Sequence, residues 1–116
     1  MIVGTRMIYR KHLSEPWYTL VKTGKKTVEG RLNSGDFALM CVGDSIVWYD
    51  DNDESFRTVI VSISCHKSFA SMLKAQTLKR TLPGISTIAK GVDIYMEFYP
   101  DESPGVLAFL LQVMQN

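Results

Sequence analysis

Cysteine is scarce in this 116-residue sequence: Cys41 and Cys65 are the only two, too few for a disulfide scaffold. Histidine is as rare, and no C-x-x-C or H-x-x-x-H spacing occurs. Cys65 and His66 are adjacent while Cys41 and His12 lie far off, so no metal site is expected and no cofactor is assigned. Cys65 falls within a strand pattern and reads as a core residue rather than as a nucleophile. No apolar run reaches the ~18 residues of a membrane span, and no apolar stretch of a secretory leader follows Met1. Glycine and proline number only 8 and 4, which excludes collagen-like and low-complexity chains. Hydrophobic residues at 46% and charged residues at 22% are globular values. A chain of this length buries roughly 65% of its unfolded surface, enough for a core without metals or disulfides. The expectation is a single domain over residues 1–116, with reduced thiols, in the cytoplasm or the nucleus.

Phosphate loops are missing too. No GxGxxG follows a strand. The segment Gly24-Lys25-Lys26-Thr27 hints at one, but the earlier glycine would fall at Thr19, and Lys26 stands where Ser or Thr is needed. Nucleotide hydrolysis by a P-loop is excluded.

What the chain does have is charge in blocks. Basic residues dominate from Arg6 to Arg31, where only Glu15 and Glu29 are acidic. Between Asp36 and Glu54 no residue is basic, and between Arg57 and Lys90 none is acidic; Asp93 to Glu102 is acidic again. The net charge is therefore only +1. If the two basic blocks fold onto one face, they form an anion-binding region; otherwise they are solvated loops that share a sign.

Hydrophobic periodicity predicts a strand over Thr5 to His12, then a helix opened by Ser14-Glu15-Pro16, with Ser14 as cap and Trp17, Leu20 and Val21 on one face. Gly24 ends that helix. Strands follow over Thr27 to Leu32 and Ser45 to Tyr49, the latter with Ile46 and Trp48 on one side. Asp50 to Glu54 is a polar hairpin tip, and Phe56 to Cys65 returns as a strand. Short helices are predicted from Ser68 and from Ser86, the second with Ile88, Val92, Tyr95 and Tyr99 in helical register and Pro100 behind it. Leu82-Pro83-Gly84 breaks the chain between them. Gly105 to Met114 is apolar throughout and reads as a buried closing strand. About five strands with short crossover helices predict an α+β fold, a small and mostly antiparallel β-barrel.

One constellation carries chemistry. Gly24, Lys26, Glu29 and Arg31 lie where a helix hands over to a strand. Strand parity puts Val28 and Leu32 toward the core and lets Glu29 and Arg31 emerge together, with Lys26 at the strand's mouth. Two cations favour the ionised form of Glu29, an acceptor flanked by donors that suits a ligand with an amino edge and an anionic group. The same residues could instead form a surface ion network worth ~0–1 kcal/mol per exposed pair.

The spacing Gly24-x-Lys26-x-x-Glu29-x-Arg31 resembles the GxKxxExR signature of the ASCH family, a branch of the PUA-like superfamily. Glu15-Pro16-Trp17, Val42-Gly43-Asp44, Lys67-Ser68-Phe69, Leu82-Pro83-Gly84, Tyr95 and Phe98-Tyr99 match the compact single-domain members in order, so the likeness runs from Leu13 to Phe109. It implies a PUA-like β-barrel with a cleft beside the first helix, lined by Lys26, Glu29 and Arg31. It implies RNA or a nucleotide as the partner, with no membrane involved. Trp17 is a candidate stacking platform or a core residue, and Lys25 and Thr27 are candidate neighbours of the ligand. Another branch resembles amidohydrolases of N4-acylated cytidine, which use a lysine, a threonine and a glutamate. Here Lys26 is present, Glu29 occupies the threonine's place, and no carboxylate stands near Ala75-Gln76. The functional expectation is an RNA- or nucleotide-binding module. A small hydrolase using Lys26, amidohydrolase-like or a ribonuclease, is the alternative, and a protein-interaction role is a third.

Overall fold

The computed structural model describes residues 6–115. Along the chain run β1 (Ile8–His12), α1 (Trp17–Lys22), β2 (Val28–Leu32), a 3-10 turn (Gly35–Leu39), β3 (Ser45–Tyr49) and β4 (Ser55–His66). Then come α2 (Phe69–Gln76), α3 (Leu78–Thr81), α4 (Ile88–Phe98) and β5 (Val106–Val113). The strands form one curled sheet in the order β1-β3-β4-β5-β2, antiparallel except where β1 runs parallel to β3. This is the α+β, mostly antiparallel half-barrel that the sequence predicts. β1 starts at Ile8, and Thr5 lies outside the described residues.

The long apolar run of β5 has a direct cause. Paired with β4 on one side and β2 on the other, β5 is an interior strand covered on both faces. Leu107, Phe109 and Leu111 join one core with Ile46, Trp48, Ile60, Tyr18 and Val21, under α1. Val106 and Ala108 join a second core with Val28, Phe69, Met72, Leu73 and Tyr95, under α2 and α4. A strand buried on both sides reads as continuous hydrophobicity rather than alternation.

β4 does not keep one alternation along its length. A bulge between Ile60 and Ser62 shifts its register against β5. Before it, Thr58 and Ile60 face the first core; beyond it, Ile63 does. Cys65 is consequently exposed, not a core residue. Buried Thr58 is satisfied: it accepts from Trp48 Nε1 at 3.0 Å and donates to the Ile46 carbonyl at 3.2 Å. At the β3–β4 tip the Asp50 carboxylate accepts the amides of Asn52 and Glu54, which explains an acidic residue at the start of the turn.

Two helix caps differ from expectation, one by two residues and the other by one. Ser14 does not cap α1; Pro16 holds that position, and the Glu15 carboxylate accepts the Thr19 amide at 2.9 Å instead. Thr87, not Ser86, caps α4 through the Lys90 amide. Ser68 caps α2, forming a reciprocal pair with Ser71. The short α3 fills a stretch for which no helix is predicted.

Candidate functional site

The site begins with the exit from α1. Gly24 adopts φ +80°, in the left-handed region, and its amide closes the helix on the Val21 carbonyl at 3.0 Å. The chain then turns back so that the Lys26 amide donates to the Leu20 carbonyl, and Thr27 donates to the Arg80 carbonyl at 3.0 Å. This aims the Lys26 side chain inward rather than along the strand's mouth. Lys26 is only 1% exposed. Its ammonium donates to the Val28 carbonyl at 2.8 Å and to the Thr81 carbonyl, and lies 3.6 Å from Glu29 Oε1. Two of the three ammonium hydrogens thus go to backbone carbonyls, and Glu29 contributes an ion pair. Burial pulls the Lys26 pKa down, and the Glu29 carboxylate works against that.

Glu29 and Arg31 also point inward, contrary to the expectation that they emerge on an outer surface. The sheet curls, so the second face of β2 is the inside of the half-barrel. Glu29 is 5% exposed. Its Oε1 accepts the Gly30 amide at 3.0 Å, and its Oε2 lies 3.6 Å from Arg31 Nη2. At 3.6 Å the two ion pairs are electrostatic contacts rather than hydrogen bonds. Arg31 Nη2 donates to the His12 carbonyl at 3.2 Å, and the guanidinium stacks 4.9 Å from the Phe37 ring centroid and 5.3 Å from that of Trp48. β1 and β2 are the two edges of the sheet, so this hydrogen bond bridges the seam that the backbone leaves unpaired.

At that seam lies a cleft of about 110 Å³. Its floor carries Lys26, Glu29, Gly30 and Arg31; its walls come from the end of β1, from Trp17, from Tyr95 and Phe98 of α4, and from Tyr99 at that helix's C-terminal cap. Phe98 is 58% exposed at the rim. Burial pushes the Tyr95 phenol well above its ordinary pKa, the Glu29 charge adds to this, and Arg31 opposes it. Tyr99 is raised as well, again chiefly by burial. Both are neutral hydroxyls at physiological pH.

Of the residues singled out from the sequence, the fold brings Lys26, Glu29, Arg31 and Trp17 to one cleft. Thr27 lies in a separate groove with Gly24 and Leu111, and Lys25 is exposed on the preceding turn, outside the cleft wall. The cations of β1 do not form a free patch either. Arg10 pairs with Asp53 at 3.0 Å, Lys11 with Asp36 at 2.7 Å, and His12 Nε2 meets Asp51 at 2.7 Å. The acidic block folds against β1 and neutralises it. The α4 tyrosines were legible as a helical stripe, but not as a cleft wall. Among the described residues, no three of His, Cys, Asp and Glu converge as metal ligands.

The sequence matches the ASCH domain over residues 12–114, a span that contains every element of the cleft. The chain belongs to the ASCH family. The crystal structure of hypothetical protein PH0355 is similar at a TM-score of 0.85 and 29% identity, covering 93% of this chain and 100% of that one. The solution structure of protein PF0455 from Pyrococcus furiosus is similar at 0.76 and 27% identity, covering 95% and 100%. A ZmASCH mutant protein from Zymomonas mobilis shares the fold at a TM-score of 0.68 and 18% identity, covering 95% of this chain and 70% of that one. No curated protein matches the sequence. The curled sheet with its short helices is thus the PUA-like architecture of ASCH domains. Among the described residues no helix is long and apolar enough to cross a membrane.

Proposed function

We propose that the ASCH cleft of this protein binds single-stranded RNA or a nucleotide and does not turn it over. The observation that carries this reading is a buried carboxylate held between two cations on the floor of an aromatic-walled cleft. The general association of ASCH domains with RNA supports it. Arg31 is the cation offered to an anionic group, since its side chain keeps 16% of its surface in solvent. Glu29 is the acceptor for an N–H of the ligand. Lys26 acts through Glu29, holding it in place by the ion pair, and Trp17 contributes a stacking surface. An amidohydrolase-like reading requires Lys26 to exchange protons with a substrate, and a ribonuclease reading requires Lys26 and Arg31 to present their charge to one. The engagement of that ammonium by Val28, Thr81 and Glu29 favours binding over turnover.

Fluorescence anisotropy with a short single-stranded RNA at rising salt tests the proposal. If Arg31 and the exposed Lys25 contact phosphates, log K falls with log salt at a slope of about −1.4. Arg31→Ala weakens binding and flattens that slope by about 0.7. Glu29→Gln changes base preference while leaving the slope alone, because a carboxylate reads N–H groups rather than phosphates. An affinity that ignores salt and both substitutions moves the site elsewhere, with exposed Lys79 and Arg80 the next candidates. Release of a product from RNA or from an acylated cytidine establishes the hydrolase instead.

A further inference from the structure

Tyr95 carries a hydroxyl that the fold does not use. Its ring stacks on Phe69 with centroids 4.5 Å apart and planes 5° from parallel, inside the second core. Phenylalanine would make the same stack. The hydroxyl is buried without a hydrogen-bond partner. It lies beside the Gly30 backbone, but the Gly30 amide is committed to Glu29 Oε1. Buried polar groups are nearly always paired, so an orphan of this kind calls for a reason. Tyr18 has an unpartnered hydroxyl as well, but it sits beneath α1 against Phe56 and does not line the cleft. Tyr95 does line it, alongside Glu29.

We infer that the Tyr95 hydroxyl is a ligand-contacting group which, together with Glu29, reads the edge of one unstacked nucleobase inserted into the cleft. The inference rests on the RNA- or nucleotide-binding reading above and specifies what the floor of that site recognises. Glu29 accepts only; two of the Lys26 hydrogens go to the Val28 and Thr81 carbonyls, and the Gly30 amide is bound to Oε1. A neutral phenol beside it donates. Together they complement a donor next to an acceptor, the pattern along the Watson–Crick edge of a base. A phosphate offers acceptors alone and is repelled by Glu29, so the anionic part of the ligand belongs with Arg31. At about 110 Å³ the space is smaller than the ~150 Å³ cavity that holds a benzene, so it takes the edge of one base and not a base with its sugar. Gly30 lets Met72 of α2 and Tyr95 of α4 approach the β2 backbone closely. A Cβ there would meet Met72 Sδ at 2.7 Å and the Tyr95 hydroxyl at 3.2 Å.

Calorimetric titration of the full chain and its Tyr95→Phe variant separates this role from a structural one. The probes are the four common ribonucleosides, their 5′-monophosphates and ribose 5-phosphate. Tyr95→Phe is expected to weaken the preferred nucleoside and its monophosphate about fivefold, the scale of one neutral hydrogen bond, and to leave ribose 5-phosphate unchanged. The same variant is expected to be at least as stable to urea as the wild type, because it loses an unpaired buried group. Glu29→Gln weakens the same base-bearing probes without affecting ribose 5-phosphate. Equal affinities of Tyr95→Phe and wild type for every nucleoside overturn the inference while leaving the RNA-binding reading intact. Parallel losses for base-bearing and base-free probes overturn it too, since they indicate a general disturbance of the cleft. Failure of the wild type to bind any nucleotide or RNA removes the functional reading and this inference with it.

Discussion

Lys26 is where the energetics of this molecule concentrate at the level of a single residue. Its ammonium joins the Val28 strand, the carbonyl at the end of α3 and the Glu29 carboxylate, all in a place that water barely reaches. Removing one partner of such a pair is worse than never having built it, because a charge remains buried alone. Lys26→Met is therefore expected to lower stability by about 3–5 kcal/mol in urea denaturation. Adding Glu29→Gln should recover part of that loss, since the uncompensated carboxylate goes with it. A loss under half a kcal/mol, or a double variant no better than Lys26→Met, would show that the ion pair is peripheral. The motif spacing pointed to Lys26, but its role as an internal tie depends on Thr81, which is remote in sequence.

The elements show a similar division. β5 was evident from Gly105 to Met114 because a strand covered on both faces needs apolar residues at every position. Phe109 belongs to the first core, tilted against Phe37 at 5.7 Å, and is fully buried. Phe109→Ala should cost about 3–5 kcal/mol, measured by the shift of the urea midpoint. A change within experimental error would mean that β5 is not the centre of the sheet. β4 was harder to read, because a bulge leaves no composition signal: Val61 and Cys65 look like core residues and are exposed. The caps were displaced by one or two residues for a comparable reason. Ser14 and Ser86 are both good cap residues, but the first helical turn is fixed by where α1 and α4 dock, and that placed Pro16 and Thr87 at the boundary instead.

At the scale of the whole molecule, stability in alkali sums opposing buried groups. Tyr95 has its pKa raised above the unfolded value of 10.0, so its contribution is intact below about pH 10 and is lost as pH rises through the folded pKa. Tyr99 acts in the same direction. Lys26 acts in the opposite one: its folded pKa lies below the unfolded 10.5, so the cost of burying its charge is relieved as pH rises. Tyr95→Phe should make the alkaline loss of stability shallower, seen as a smaller fall of the urea midpoint above about pH 10. Identical alkaline limbs in the variant and the wild type would show that Tyr95 titrates as a free phenol.

The sequence by itself determined the class of fold, the interior strand, the two strands around Asp50 to Glu54 and the four residues of the motif, because these are written in local periodicity and spacing. It also determined that charge comes in blocks. Only the tertiary structure decided what the blocks do: β1 packs against the acidic hairpin and the turn at Asp36, so Arg10 and Lys11 are neutralised rather than offered to a ligand. It likewise decided that Glu29 faces inward, that Tyr95 meets the cleft with an unpaired hydroxyl, and that Lys25 and Thr27 stand apart from it. Strand parity assigns a residue to one of two faces, but whether both faces are covered depends on how far the sheet curls and on which helices pack against it, and those contacts join residues distant along the chain.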